Sequence, residues 1–222
     1  MQTAMNVLPP GRISITLDVH RQALEDVQAG VFSFLQPESY RTVTHFILSF
    51  RKVEFMMFRE MRRKKQQLSE EETLEILRTG KTAILGLSGD DGYPYTVPVN
   101  YVYADGKIYF HGAKTGHKID SIKRNSKVSL CVIEKDDIVS EELTTYFKSV
   151  ILFGTARILE TEEEIFHAAE VFGLKYNPNQ EAVDQEIHRE WNALCCVEIS
   201  IDYVTGKEAI ELTRARKQES LS

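Results

Sequence analysis

The sequence has no apolar run that approaches the roughly 20 residues of a transmembrane helix. Its first residues have none of the charged, apolar and small-residue segments of a secretory signal. Basic residues are fewer than acidic ones, 27 against 33, which gives a formal net charge of −6. These absences predict a cytoplasmic protein that binds neither membranes nor nucleic acid.

Cysteine is also scarce, and Cys131, Cys195 and Cys196 lack the spacing of a zinc site or a CxxC redox pair. The two adjacent cysteines lie in an apolar run and would point to opposite faces of a strand, which favours buried structural thiols. HExxH, GxSxG and GxGxxG motifs are absent. The sequence therefore predicts no metal site and no Rossmann-type dinucleotide fold.

The chain divides into three parts by pattern. Residues 1–60 contain Pro9-Pro10-Gly11 and no sustained periodicity, and we expect an N-terminal extension of no importance to the core, unless Met61 is the true initiator. Residues 61–212 have the regular pattern of a folded domain, and residues 213–222 are expected to be a C-terminal tail.

Two capping boxes, Ser69 to Glu72 and Thr161 to Glu164, predict helices over Glu70–Thr79 and from Glu162 to about Lys175. Further helices are expected over Gly116–Arg124 and Glu181–Asn192. Strand-like runs separated by turn signals cover Ala83–Leu87, Tyr95–Tyr103, Lys107–His111, Lys127–Ile133, Thr144–Leu159 and Leu194–Tyr203. The sequence therefore predicts a mainly β fold, a six-stranded antiparallel barrel with flanking helices.

The segment from His111 to Asp120 has the pattern of an anion site. A strand ends in a glycine-containing loop, and the helix that follows begins with His117 and Lys118, where the other two well-marked helices have glutamates. Cations at a helix N-terminus are unfavourable unless an anion lies between them and the free N–H groups. A phosphate site is one interpretation, and a solvated basic loop is the other.

The segment from Gly92 to Tyr101 contains a proline within a strand. Pro98 cannot donate to a fully paired ladder, so we expect it at an edge or a bulge, where neighbouring backbone groups are free. A flat heteroaromatic ring such as isoalloxazine is suited to such groups. The alternative is that the proline only protects an exposed edge from aggregation.

Taken in order, these segments resemble the pyridoxamine-5′-phosphate-oxidase-like split-barrel superfamily, in particular its 5-nitroimidazole-resistance branch. The first sixty residues have no counterpart in the resemblance. The matching pieces are Met61-Arg62-Arg63-Lys64, Gly92 to Tyr101, Ile108 to Ala113, Gly116 to Asp120, Ser149-Val150 with Gly154-Thr155-Ala156, and Thr205-Gly206-Lys207-Glu208.

The resemblance implies a six-stranded split barrel that forms a homodimer with two FMN sites at the subunit interface. It places His111, Gly112 and Ala113 beside the ribityl chain. Lys118 would meet the phosphate, with Lys114 and His117 in the same loop. Ser149 and Val150 would come from the partner subunit. The residues that would lie along the isoalloxazine ring are Thr96, Val97, Pro98, Val99, Asn100 and Tyr101.

The resemblance also has two departures. His117 stands where this branch more usually has a second basic residue, and no arginine-rich motif accompanies the last strand, so oxidation of vitamin B6 is not expected. The function predicted is an FMN-dependent oxidoreductase of the nitroreductase type, acting on a small molecule with a reduced nicotinamide or another electron donor. His111 is the candidate acid or base; its alternative role is to orient the turn.

Two other functions remain open at this point. A non-catalytic flavin-binding module, either a carrier or a redox sensor, is favoured by the lack of a recognisable substrate-binding cluster. Binding of haem on the same barrel would require an axial ligand that the sequence does not identify.

The strand around Ser149-Val150-Ile151-Leu152-Phe153 is continuously apolar, whereas a half-solvated barrel wall should alternate. We expect it to be buried on both faces, with one face against the barrel and the other against a second subunit.

Overall fold

The structure, a computed structural model, describes residues 58–219. Seven strands run through it, and they are β1 Thr82–Ser88, β2 Pro94–Asn100, β3 Val102–Ala104, β4 Lys107–Ala113, β5 Lys127–Val139, β6 Thr144–Ile158 and β7 Leu194–Glu208. The helices are α1 Glu70–Thr79, α2 His117–Arg124, α3 Glu162–Tyr176, α4 Gln180–Glu190 and α5 Ile210–Glu219. Single 3₁₀ turns cover Lys64–Gln66, Asp90–Gly92 and Ser140–Glu142.

The strands form one antiparallel sheet in the order β2-β1-β5-β6-β7-β4-β3. The mainly β prediction is confirmed, but the predicted count of six strands is wrong. The sheet has seven strands and an open order, because Tyr101 interrupts the predicted strand over Tyr95–Tyr103. The first half pairs with β1 and the second half with β4, so the two edges of the sheet are consecutive in the chain.

The predicted helices are present. Ser69 accepts a hydrogen bond from the backbone N–H of Glu72, whose carboxylate accepts from the N–H of Ser69 in return. Thr161 accepts from the N–H of Glu164 in the same way. Both starts are local side-chain-to-backbone contacts, which is why the sequence pattern is sufficient to locate them.

Two apolar clusters hold the sheet and helices together. One lies on one face of the sheet and includes Leu77, Leu85, Phe110, Val132 and Leu152. The other packs the opposite face of β4 and β7 against α3 and α4; its buried members are Val102, Tyr109, Leu159, Ala168, Ala169, Val183, Ile187 and Cys196. The alternation of β4 between these clusters places the end of that strand under helix α3.

The predicted N-terminal extension lies outside the described residues except for its last three positions. The segment expected to be a tail begins inside α5, where Thr213 is buried and Arg216 pairs with Glu72 and with the buried Glu208. The proposed boundaries of the folded domain remain a prediction. Across residues 58–219, none of the helices combines the length and apolarity needed to cross a bilayer.

Candidate functional site

One cavity of about 410 Å³ brings together residues from both predicted binding segments. The end of β2 contributes one wall, the end of β4 contributes His111, and the start of α2 contributes Lys118. Helix α3 adds two aromatic side chains that the sequence analysis had not assigned. The full lining is Pro98, Val99, Asn100, His111, Lys118, Phe172 and Tyr176.

Strand β2 has the edge position that its proline predicts. Within residues 58–219 it pairs only with β1, and Pro98 stands opposite Ile84. Side chains alternate along the strand, so that Thr96, Pro98 and Asn100 are exposed while Val97 and Val99 face the core. The backbone of β2 on the side away from β1 is therefore available to a ligand, whereas the two valines contribute packing.

The break between β2 and β3 is held by the end of helix α3. Lys175 Nζ donates hydrogen bonds to the carbonyl oxygens of Gly80 at 2.5 Å and Tyr101 at 3.0 Å. The hydroxyl of Tyr176 donates to the carbonyl oxygens of Lys81 and Tyr101, at 2.8 and 2.9 Å. The side chain of Tyr101 is fully buried in the core, and its hydroxyl has no hydrogen-bond partner among the residues that the structure describes. Tyr101 therefore fixes the strand geometry beside the cavity and does not line it.

His111 lies at the mouth of the cavity with its ring edge-on to Phe172, at 4.5 Å between centroids and 89° between planes. Part of the ring faces the open cavity, yet the surrounding protein desolvates it. This burial, helped by the nearby charge of Lys118, holds the pKa of His111 below its usual value. The imidazole is therefore mainly neutral at pH 7, with one N–H donor and one acceptor.

Gly112 creates the space that Lys118 occupies. A Cβ atom at position 112 would lie 2.8 Å from Lys118 Nζ and 3.1 Å from its Cε, both closer than ordinary contact. The lysine therefore lies directly against the backbone of β4, next to His111. Within the described residues it has no ion-pair or hydrogen-bond partner, so its positive charge is available to an anion.

Helix α2 begins at Gly116 without a side-chain cap, whereas Ser69, Thr161 and Asn179 cap α1, α3 and α4. Its free N–H groups and the adjacent Lys118 form the kind of surface that binds a phosphate.

His117 has a different environment from the one expected for a phosphate ligand. Its ring stacks on Tyr95 at 4.0 Å, and its Nε2 lies 3.3 Å from the carboxylate of Asp90, which also pairs with Arg124 at 2.5 Å. The carboxylate of Asp90, rather than a bound phosphate, thus accounts for the placement of His117 at the start of this helix. His117 does not line the cavity.

Within one chain, the other predicted residues do not line this cavity. Lys114 lines a separate cavity of about 290 Å³ with Lys123 and Cys195. Val150 is fully buried in the first apolar cluster and Ser149 is half-buried on β6. Their assignment to a partner's cofactor site remains a prediction, and Val150 could contribute to such a site only through its backbone.

The two residues missed by the sequence analysis, Phe172 and Tyr176, lie one turn apart on α3, with ring centroids 5.0 Å from each other. Their spacing follows the helical repeat, which could have been recognised as an aromatic face. The position of this aromatic face over the end of β4, however, depends on tertiary packing, which a local sequence pattern does not predict.

The comparisons with known proteins agree with this fold. Residues 69–208, more than half of the chain, match the family model described as pyridoxamine 5′-phosphate oxidase. The chain belongs to that family, and the resemblance inferred from the sequence motifs is confirmed. None of the curated proteins matches the sequence well enough to support an inference.

Several solved structures share the fold. A protein of Bacteroides thetaiotaomicron described as a 5-nitroimidazole antibiotic resistance protein is 21% identical, with a TM-score of 0.54 over 64% of this chain and 86% of its own. A conserved hypothetical protein of Mycobacterium tuberculosis is 20% identical, with a TM-score of 0.59 over 67% and 90%. An FAD- and haem-binding protein of Mycobacterium smegmatis is 20% identical, with a TM-score of 0.55 over 65% and 73%. At these identities the likeness establishes the fold, and flavin binding recurs among proteins that share it.

Proposed function

We propose that this protein binds FMN in the 410 Å³ cavity and acts as a flavin-dependent oxidoreductase of the nitroreductase type. The observation that supports it most is that one cavity collects the free edge of β2, His111 and an unpaired Lys118. The space at Gly112 that admits the lysine, and the uncapped start of α2 beside it, suit the phosphate of a flavin nucleotide.

The cofactor would be held by three groups of this chain. The backbone from Thr96 to Asn100 in β2, with Tyr101 directly after it, would face the pyrimidine edge of the ring. At the end of β4, His111 lines the cavity and would flank the ribityl chain, with Gly112 and Ala113 next to it on the side of a larger neighbouring cavity. Lys118 would neutralise the phosphate, a charge-assisted contact stronger than a neutral hydrogen bond.

A second subunit is part of the proposal. Leu152 and Val150 are buried, whereas Ile151 and Phe153 are 45% and 39% exposed. The expectation that this strand is buried on both faces therefore does not hold within one chain. Ile84 and Ile133 lie on the same outer face of the neighbouring strands and are also exposed. We call these four residues the outer apolar patch, and a second copy of the chain is the cover we propose for it.

When bound, the flavin would accept two electrons from a reduced nicotinamide and pass them to a nitro group, so that RNO₂ + NADH + H⁺ gives RNO + NAD⁺ + H₂O. His111 lines the cavity, and its neutral imidazole would donate a hydrogen bond or accept a proton there. Phe172 and Tyr176 shield the cavity from water on the side of α3.

The proposal is tested by the absorbance spectrum of the purified full-length protein and by mass spectrometry of the released cofactor. Anaerobic addition of NADH should bleach the flavin bands, and a nitroimidazole should restore them. A flavoprotein that is not bleached by NADH or NADPH, and that does not reduce a nitroimidazole when reduced with dithionite, would instead be a carrier or a redox sensor. A protein without flavin would refute both.

The phosphate assignment has its own test. Lys118→Ala should weaken FMN binding by about 1.5–3 kcal/mol, the usual loss for a hydrogen bond to a charged group, while riboflavin binding changes little. Lys123→Ala on the same helix is the matched control, because it removes an equal charge outside the cavity. An equal loss for FMN and riboflavin would show that Lys118 does not bind the phosphate.

A further inference from the structure

A second and larger cavity, of about 750 Å³, lies behind the His111–Phe172 pair. We call it the helix pocket, because α3 and α4 form most of its wall. It shares His111 and Phe172 with the 410 Å³ cavity, so a molecule in the helix pocket would contact the same side chains as the flavin. Its volume lies within the range of small-molecule binding sites and exceeds what a single aromatic ring fills.

The helix pocket follows from the distribution of small residues. Helices α3 and α4 meet at Gly173 and Val183, where a Cβ on the glycine would lie only 2.6 Å from Val183 Cγ1. Small side chains at Ala169, Ala182 and Ala193 also line the pocket and leave space unfilled. The lining contributed by the two helices is mostly apolar.

The charged residues of the helix pocket have one sign. Glu186 and Glu190, one turn apart on α4, are its acidic residues, and no lysine or arginine among residues 58–219 lines it. Arg189 pairs with both glutamates from outside the pocket. The polar groups that complete the lining are Asn177 and His111, whose pKa is lowered by burial. The two negative carboxylates and the one positive charge of the paired Arg189 leave a formal charge of −1 beside the pocket, which favours neutral or cationic ligands over anions.

We propose that the helix pocket binds the substrate of the flavin reaction, and that the substrate is an apolar aromatic compound that is neutral or cationic. The inference that the ligand is a substrate rests on the proposed function. The preference for neutral or cationic ligands follows from the pocket alone. The net negative charge disfavours phosphate esters such as the vitamin B6 phosphates, and it disfavours the propionates of haem for the same reason.

Two probes of the same shape and opposite charge test the proposal. The full-length protein, saturated with FMN, is titrated by equilibrium dialysis with the cation 9-aminoacridine and with the anion 9-anthracenecarboxylate. We expect the cation to bind at least tenfold more tightly. Replacing both Glu186 and Glu190 with Gln should reduce this ratio at least threefold, whereas the same replacement at the exposed Glu141 and Glu163, outside the pocket, should leave it unchanged.

A second variant tests the location. Ala182→Trp should fill the pocket and weaken binding of 9-aminoacridine at least tenfold, while Ala215→Trp on the exposed side of α5 should not. The proposal is overturned if neither probe binds, if both bind equally, or if Ala182→Trp has no effect. Occupation of the pocket by another part of the chain or by a second copy would appear as absence of binding.

The flavin content of each sample is measured separately by absorbance. A protein without flavin that still binds the cation in a manner dependent on Ala182 and the two glutamates would refute the proposed function and leave the pocket's charge selection standing. A protein that contains flavin but binds neither probe would leave the proposed function standing and refute the pocket's preference for cations.

Discussion

The replacement Gly112→Ala is expected to weaken phosphate binding without destabilising the fold. The new methyl group would lie 2.8 Å from Lys118 Nζ, and ordinary contact begins at about 3.4 Å. The neighbouring atoms belong to the flexible end of a lysine, which moves away at little cost. Gly112 lies in β4, and alanine there is compatible with the strand and should even reduce the entropy lost on folding.

The magnitude follows from the displacement. A charge-assisted hydrogen bond of about 2.8 Å that is lengthened beyond 3.4 Å is no longer a good bond. Its loss corresponds to about 1.5–3 kcal/mol, or an increase of about 10- to 150-fold in the Kd for FMN. The thermal midpoint of the apoprotein should stay within a few degrees of the parent, and the Kd for riboflavin should change much less.

Flavin fluorescence quenching gives both dissociation constants, and Lys118→Ala is the reference. If both changes act through one contact, the double variant should bind FMN no more weakly than Lys118→Ala alone, because coupled positions are not additive. Parent-like FMN affinity in Gly112→Ala, together with a clear loss in Lys118→Ala, would show that the lysine binds from another position. Additive losses would place the two residues in separate contacts.

Two further predictions concern assembly and stability. Ile151→Glu should lose the dimer, measured by light scattering, together with the FMN, measured by absorbance. The control Leu143→Glu should keep both, because Leu143 is 94% exposed at a hairpin tip. An Ile151→Glu protein that is monomeric and still yellow would contradict the proposed interface. Burial lowers the pKa of Lys175 to about 8, against about 10.4 in an unfolded chain. Between these two pH values the unfolded state retains the proton and the folded state has lost it. The free energy of unfolding should therefore rise with pH across that window. Urea titrations at pH 7.5 and 9.5 should show this rise reduced in Lys175→Met and unchanged in Lys65→Met, and an identical pH dependence in all three proteins would show that Lys175 has no lowered pKa.

The features that the sequence predicted are those that short segments determine. The capping boxes at Ser69 and Thr161 involve residues three apart, and Pro98 restricts its strand to an edge because of its own missing N–H. The strand-to-helix segment from His111 to Lys118 is also local, so its glycines and cations could be recognised without the fold.

The features that were missed depend on distant parts of the chain. The strand breaks at Tyr101 because Lys175 and Tyr176, more than seventy residues later, bind its carbonyl oxygen. His117 pairs with Asp90 from the turn before β2, which a count of charges within α2 cannot show. Both contacts depend on tertiary packing, and each replaces an interpretation that was reasonable for an isolated segment.

Helix α3 therefore has two roles that constrain each other. At its end, Lys175 and Tyr176 bind the backbone where β2 gives way to β3, and one turn earlier Phe172 separates the 410 Å³ cavity from the helix pocket. A change in the position of α3 would disturb the strand that faces the proposed flavin. Helix α4 has no such bond to the sheet edge, and it supplies both carboxylates of the helix pocket. Within this architecture, ligand preference can change through α4 while the geometry of the flavin site stays fixed by α3.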